Sequence, residues 1–307
     1  MSVSTPNPGG PSVVALGGGY GLSTTLRAVR QYTDRITGVV SVADDGGSSG
    51  HLREAFGLPA PGDIRRCIVA LSNPDSVWTR TLEHRFKAPQ LASGLDGHPV
   101  GNLLLAGLTE VLGDFTLAIE ETMQMLGAVG CLLPATVEPV VLKASFKNLD
   151  ERLNTVIGEV HGEAAVGQTS GITSLALVPA APKPHPDIER ALADADQIII
   201  GPGSLYTSIL AVLCVPAIRR AFARAGGKKI YVANLGEQHP ETTGYDVGRH
   251  VEALASHGVK VDVVVRDPNA LALGHVAGPT VIDWPIANSR GRLHDPDRLA
   301  EALRRLL

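Results

Sequence analysis

Three consecutive glycines, Gly17-Gly18-Gly19, followed by Tyr20 and Gly21, end an aliphatic run at Leu16 and precede a helical pattern at Leu22, Leu26 and Val29. Glycines let a backbone come close to an anion, and the helix start aims free N–H groups and its positive dipole end at the same place. Leu22 and Thr24 occupy the places where a third glycine of G-x-G-x-x-G would fall, and no Lys-Ser or Lys-Thr follows. The turn therefore predicts a phosphate-binding site without either of the commonest nucleotide fingerprints. The competing expectation is a tight strand-to-helix turn that holds no ligand.

A second segment, Asp44-Asp45-Gly46-Gly47-Ser48-Ser49-Gly50, follows the apolar run Ile36 to Ala43. An acid at the end of a second strand is placed to grip a ribose hydroxyl, about 20 residues past the glycine turn. Two adjacent carboxylates are equally suited to Mg²⁺ beside a diphosphate, and the glycines and serines to an anion nest. A third segment, Gly201-Pro202-Gly203-Ser204-Leu205-Tyr206-Thr207-Ser208, repeats the first turn's logic after the strand Gln197 to Ile200, with Ser204 as a natural N-cap. A looser group, Pro61-Gly62-Asp63-Ile64-Arg65-Arg66 and Gly97-His98-Pro99-Val100-Gly101-Asn102, starts two helices. Arg65 and Arg66 could neutralise phosphate, and Asn102 could read an amide or hydroxyl.

The elements that must position these turns alternate. Ser12 to Leu16, the helix from Gly21 to Gln31 and Ile36 to Ala43 form one βαβ unit. Helical spacing recurs over Asp63 to Ser72, Ser76 to Phe86, Val100 to Leu112 and Asp114 to Leu126. Residues 131–180 change character to short β-like runs broken by Gly and Pro, which predicts a β-rich insertion. The α/β rhythm then resumes: helix Ile188 to Ala195, strand Gln197 to Ile200, and a helical stretch from Leu205 to Ala225 interrupted at Pro216. Strand Lys229 to Leu235, helix Gly244 to His257, strand Val261 to Val265 and helix Asp295 to Leu307 complete the chain. The predicted fold is α/β: a Rossmann-like, mostly parallel sheet flanked by helices, occupying 12–307 behind a flexible tail at 1–11.

Composition narrows the function classes. A net charge of −4 with no run of Lys or Arg argues against a nucleic-acid surface. Aromatic residues make up only 4%, so aliphatic side chains must fill the core, as they do in parallel sheets. Cys67, Cys131 and Cys214 are far apart in apolar segments, which predicts buried thiols and no metal site. The N-terminal residues do not form a signal peptide, and no apolar stretch reaches membrane-span length, so a cytoplasmic location is expected.

Together and in this order, these motifs resemble the YvcK family of bacterial gluconeogenesis factors, in the same superfamily as CofD, the 2-phospho-L-lactate transferase. The likeness is carried by Gly17 to Ser23, Ala43 to Gly50, Pro61 to Arg65, Gly97 to Leu103, Gly201 to Ser208, Asn234-Leu235 and Glu241 to Tyr245. The chain departs from the family pattern at Tyr20, where Thr is usual, and at Pro240, where Gly is usual. The resemblance implies a UDP-sugar ligand, typically UDP-N-acetylglucosamine, and a role in cell shape and peptidoglycan precursor supply. It further implies partners in cell-wall or amino-sugar metabolism, and the chain is compatible with homo-oligomerisation. By position it places Gly18, Gly19, Tyr20, Gly21, Asp44, Asp45, Ser48, Arg65, Asn102, Gly203, Ser204, Tyr206, Thr207 and Ser208 around the ligand, with Asn234 and Thr242 at the far wall.

Three readings remain at this level. The first is a UDP-sugar-binding regulatory protein. The second is a CofD-like phosphotransferase or nucleotidyl-type transferase in which Asp44 and Asp45 place Mg²⁺. A NAD-dependent dehydrogenase ranks third, because the glycine spacing is broken and no catalytic His or Tyr-Lys pair stands out.

Overall fold

The central strand segments Val13 to Leu16, Ile36 to Val40 and Ile198 to Ile200 are apolar on both faces, so each must be covered on both sides, and the structure does this with a parallel sheet between two helical layers. The structure, a computed structural model, describes residues 9–87, 95–149 and 155–307. In chain order the elements begin with β1 (Val13–Gly17), α1 (Gly19–Val29), β2 (Ile36–Val40), α2 (Gly47–Phe56), α3 (Pro61–Leu71) and α4 (Val77–Glu83). There follow α5 (Val100–Leu112), α6 (Phe115–Leu126), β3 (Cys131–Pro134), β4 (Val141–Leu149), β5 (Thr155–His161), α7 (Glu163–Gly167) and β6 (Ile172–Val178). Then come α8 (Ile188–Ala193), β7 (Gln197–Ile200), a π-helix (Leu205–Leu210) running into α9 (Ala211–Leu213), and α10 (Pro216–Arg224). The chain closes with β8 (Lys228–Val232), α11 (Val247–Ser256), β9 (Val263–Arg266), β10 (Thr280–Asp283) and α12 (Pro296–Arg304).

The main sheet has seven strands in the order β3-β2-β1-β7-β8-β9-β10, every pair parallel. Chain direction across the sheet therefore reverses between β1 and β7, which pair from Val13 with Gln197 to Leu16 with Ile200. In doubly wound sheets, ligands bind outside the strand ends at such a switch point. Both predicted glycine turns leave these two strands. Along β1, Val14 and Leu16 join the core on one face while Val13 and Ala15 join the other. Leu22 and Leu26 of α1, Ile64 and Ile68 of α3 and Leu299 and Leu303 of α12 cover one side. The π-helix, α8, α10 and α11 cover the opposite side with Leu205, Ile209, Ile188, Ile218 and Leu254.

The β-rich insertion is a separate antiparallel sheet in the order β5-β4-β6. Its inner side chains Leu142, Ala144, Leu175 and Leu177 join the core of the π-helix side. The insertion starts later than expected, because β3 belongs to the main sheet, where Cys131 to Pro134 pair in parallel with Thr37 to Val40. Cys131 is also exposed rather than buried, since it is the first residue of this edge strand; Cys67 and Cys214 are buried.

Two further elements depart from the sequence reading. The Gly-Ser stretch after Asp45 opens the helix α2, which the Arg53 guanidinium ties down by donating to the carbonyls of Ala43, Asp44 and Val140. At the other end, β10 adds a parallel edge strand beside β9 that no periodicity announced. Of the expected N-terminal tail, 1–8 lie outside the described residues. Gly10 and Pro11 are already anchored, their carbonyls accepting from Arg35 and from the Thr33 hydroxyl at 2.7 Å. Among the described residues no single helix is long and apolar enough to cross a membrane.

Candidate functional site

The turns after β1 and β7 meet face to face. A Cβ on Gly21 would collide with the carbonyl oxygen of Pro202, so glycine is required there by contact. Gly19 is required by conformation, at φ +58°. The Thr25 hydroxyl donates to the Gly201 carbonyl at 2.9 Å and fastens α1 to the second turn. Asn234, after β8, clamps the other side. Its Oδ1 accepts from the Gly203 amide and its Nδ2 donates to the Gly203 carbonyl, both at 2.9 Å.

A cleft opens beside this junction in two chambers. The first has a volume of about 350 Å³ and is lined by Gly18, Gly19, Tyr20, Gly21, Asp44, Gly203, Ser204, Thr207 and Ser208, together with Ser41, Asp63, Arg66, Glu163 and Gln238. The second, of about 580 Å³, shares Tyr20, Gly21, Gly203 and Gln238 and extends past Asn234 to Arg27, Arg292 and His294. Each falls within the ~300–1,000 Å³ range of small-molecule sites.

The helix starts are not bare, contrary to the simplest reading of the glycine turns. At α1 the Gly19 amide donates to Asp63 Oδ2 at 2.6 Å, while Arg66 donates to Asp63 Oδ1 at 2.6 Å. At the π-helix the Tyr206 amide donates to Glu241 Oε1 at 2.7 Å, and the Ser204 hydroxyl lies 2.7 Å from each Glu241 oxygen. Ser204 also performs its expected capping role, accepting from the Thr207 amide at 3.0 Å. Each positive helix end thus carries an internal carboxylate brought from another element. Burial pushes both carboxyls above the ordinary range, opposed at Asp63 by Arg66 and at Glu241 by the Ser204 and Tyr206 donors.

Glu163, the first residue of α7, enters the first chamber from the insertion. Burial, and next the Asp44 charge, push its carboxyl up to about 7. Asp45, expected beside the ligand, instead builds this corner: its two carboxylate oxygens accept from the Glu163 and Ala164 amides, each at 2.9 Å. Asp44 does line the chamber, and its Oδ1 accepts from the Gly46 amide.

The remaining expected residues lie outside the lining of both chambers. Ser48, Asn102 and Arg65 form a chain: Asn102 donates to Ser48 Oγ and accepts from Arg65 Nε, both at 3.1 Å, joining α2, α5 and α3. Arg65 is buried, which lowers its guanidinium to about 10 and makes it a core strut rather than an open phosphate ligand. Tyr206 is buried, with its hydroxyl 3.0 Å from that of Tyr245. Thr242 is buried too and accepts from the Gln238 amide at 3.0 Å, shaping the loop that brings Gln238 to the cleft. Tyr20, in contrast, is 73% exposed, its ring 4.7 Å from the Arg66 guanidinium carbon in a cation–π contact.

Sequence reasoning missed Asp63, Glu163, Glu241 and Gln238 as parts of the site. Asp63 and Glu241 were visible within motifs, but their targets lie 44 and 35 residues away. Glu163 carried no local signal beyond a glycine before it.

Comparison with known proteins agrees with this architecture. The family model of 2-phospho-L-lactate transferase CofD matches residues 13–287. A gluconeogenesis factor of Halalkalibacterium halodurans is 39% identical over 259 residues, covering 83% of this chain and 77% of the relative. A Nostoc relative is 42% identical over 321 residues, covering 96% of this chain and 68% of that protein. In three dimensions, the crystal structure of a UPF0052 family protein from Bacillus halodurans superposes with a TM-score of 0.84 at 32% identity, covering 97% of this chain and 100% of the other. By motif order, sheet topology and these matches, the chain belongs to the CofD family and, within it, to the YvcK group of gluconeogenesis factors.

Proposed function

We propose that this protein is a cytoplasmic regulator that binds a UDP-sugar, UDP-N-acetylglucosamine by preference, in the cleft at the β1–β7 switch point. It acts on cell-wall precursor supply, and so on cell shape, through partner proteins of amino-sugar metabolism. The observation that carries this reading is the pair of chambers meeting across Tyr20, Gly21, Gly203 and Gln238, which offers one elongated ligand two chemically distinct seats. The gluconeogenesis-factor name of the Halalkalibacterium relative supports a metabolic, regulatory role. Thermal shift with UDP-N-acetylglucosamine, NAD and GTP, each with and without Mg²⁺, tests the reading. A ligand that binds only the folded chain adds about 2.7 kcal/mol at a hundredfold excess over Kd. UDP-N-acetylglucosamine alone is expected to raise Tm strongly, and a larger shift with NAD would favour the dehydrogenase reading instead.

The CofD family model favours a second reading, Mg²⁺-dependent phosphoryl or nucleotidyl transfer. Among the described residues no group of three His, Cys, Asp or Glu side chains is arranged to hold a metal. Asp44 and Asp63 nevertheless line the first chamber, and one or two carboxylates completed by ligand phosphates are the usual way Mg²⁺ is held. Mg²⁺ bound there would offset the charge of a diphosphate. In this reading Asp44→Asn abolishes turnover without loss of fold, and the absence of any metal-dependent product from nucleotide-sugars or phospho-acids rejects it.

A further inference from the structure

The two chambers differ in charge. Among the described residues the first is faced by Asp44, Asp63 and Glu163 against Arg66 alone, and Arg66 is committed to Asp63 at 2.6 Å. The second is faced by Arg27, Arg292 and His294. Among the described residues neither Arg27 nor Arg292 forms an ion pair. Among the described residues the one acid lining that side, Glu237, is turned toward the Gly244 amide at 2.9 Å.

A ligand with a charged end and a neutral, hydroxyl-bearing end can enter such a cleft in only one favourable direction. Carboxylates accept hydrogen bonds from hydroxyls and repel phosphates, while guanidinium groups donate to phosphates. The internal carboxylates at both helix starts strengthen this sorting, because one N–H at each start, that of Gly19 and that of Tyr206, is already engaged by a carboxylate that would repel a phosphate.

Within the first chamber the three acids are not equivalent. Asp63 is held by the Gly19 amide and Arg66, and Asp44 accepts from the Gly46 amide. Glu163 stands on the insertion, at a helix start fixed in place by Asp45, and its carboxyl has one side-chain hydrogen-bond partner, the Thr207 hydroxyl in the same chamber. A Cβ on the preceding Gly162 would collide with Asp45 Oδ2, so the approach of these two segments is tight. Asp45 thus presets where Glu163 meets the cleft.

We infer that Glu163 is the specificity-determining residue that reads the uncharged, hydroxyl-rich sugar of a nucleotide-sugar, the diphosphate-bearing half lying across Tyr20 toward Arg27 and Arg292. This inference rests on the nucleotide-sugar reading above and adds to it a ligand direction and a sugar-reading group. No metal is needed to seat the ligand in this direction.

The test is calorimetric titration of the full chain, in EDTA, with UDP-N-acetylglucosamine and with UDP as separate probes. Wild type is expected to bind the sugar nucleotide more tightly than UDP. Glu163→Ala is expected to lose about tenfold in affinity for UDP-N-acetylglucosamine, with the ratio of the two affinities falling by the same factor. Glu163→Gln preserves the side-chain volume and guards against misfolding; it should lower the same ratio by a smaller factor. An unchanged ratio in both variants, or equal losses for both probes, overturns the inference while leaving nucleotide-sugar binding intact. Wild-type binding that vanishes in EDTA and returns with Mg²⁺ also overturns it, since the phosphates would then sit at the carboxylates. No binding of either probe under any of these conditions rejects the nucleotide-sugar reading itself, and this inference with it.

Discussion

Asp63 Oδ2 accepts the Gly19 amide at 2.6 Å, so a carboxylate from α3 caps the glycine turn that opens α1. The same carboxylate receives Arg66, which in turn lies beside the exposed ring of Tyr20. One acid thereby links the floor of the cleft to the side chain that stands between its two chambers.

Removing that acid should be costly. Asp63→Ala leaves the Gly19 amide without its acceptor and Arg66 without its counter-charge. We expect a loss of about 1–3 kcal/mol, as for the removal of a part-buried charged acceptor. Urea unfolding at neutral pH measures it, and a change below about 0.5 kcal/mol would show that water replaces the carboxylate.

Glu241 plays the matching part at the second turn, and its replacement tests whether the two turns are built alike. Glu241→Ala removes the acceptor of the Tyr206 amide and the partner of the Ser204 hydroxyl in a buried place. A loss of about 2–3 kcal/mol is expected for groups left unsatisfied there. Glu241→Gln retains an acceptor and should lose less, which denaturant midpoints of the two variants will reveal.

Gly21 can be examined by steric size alone. Gly21→Ala drives a methyl into the Pro202 carbonyl, forcing the two turns apart. Overpacking of this kind costs about 1–3 kcal/mol. It should also widen the cleft junction, so affinity for UDP-N-acetylglucosamine falls together with Tm. A variant of wild-type stability and affinity would mean that the turns do not meet in solution as they do here.

Glu163 should contribute a share of stability that declines as pH rises toward neutrality, against the opposite share of His98, His185, His250 and His294, which burial holds below the usual imidazole range. Glu163 titrates near 7 in the folded chain, above its ordinary value of about 4.3 when unfolded. Between these values the folded state holds a proton that the unfolded state releases. The stabilisation is therefore fully present below about pH 4 and is lost as pH rises through about 7. Asp63 and Glu241, also shifted upward by burial, act in the same direction. Glu163→Gln removes the Glu163 share, so its Tm should rise relative to that of wild type between about pH 5 and pH 7.5. Parallel pH profiles would contradict the shift at Glu163.

Features whose demands are local were legible in the sequence. The glycine turns could be read because close approach and positive φ leave little choice of residue, and strands β1, β2 and β7 because both faces had to be apolar. The helix α2 was hidden because Gly and Ser form helices poorly, and its hold on the chain comes from Arg53 reaching back to three carbonyls. Asp45 looked like a ligand-binding partner of Asp44, yet its donors arrive from a segment 118 and 119 residues later. Glu163 gained its place through that same long-range contact. What could not be read was which carboxylate meets which amide across the fold, and those pairings decide the charge of the first chamber.

Isothermal titration of the intact chain with UDP-N-acetylglucosamine shows whether the switch-point cleft binds a UDP-sugar. Saturable binding of one ligand per chain is expected, weakened by Glu163→Ala. Absence of heat and of saturation up to millimolar ligand, with the chain shown to be folded, would contradict it.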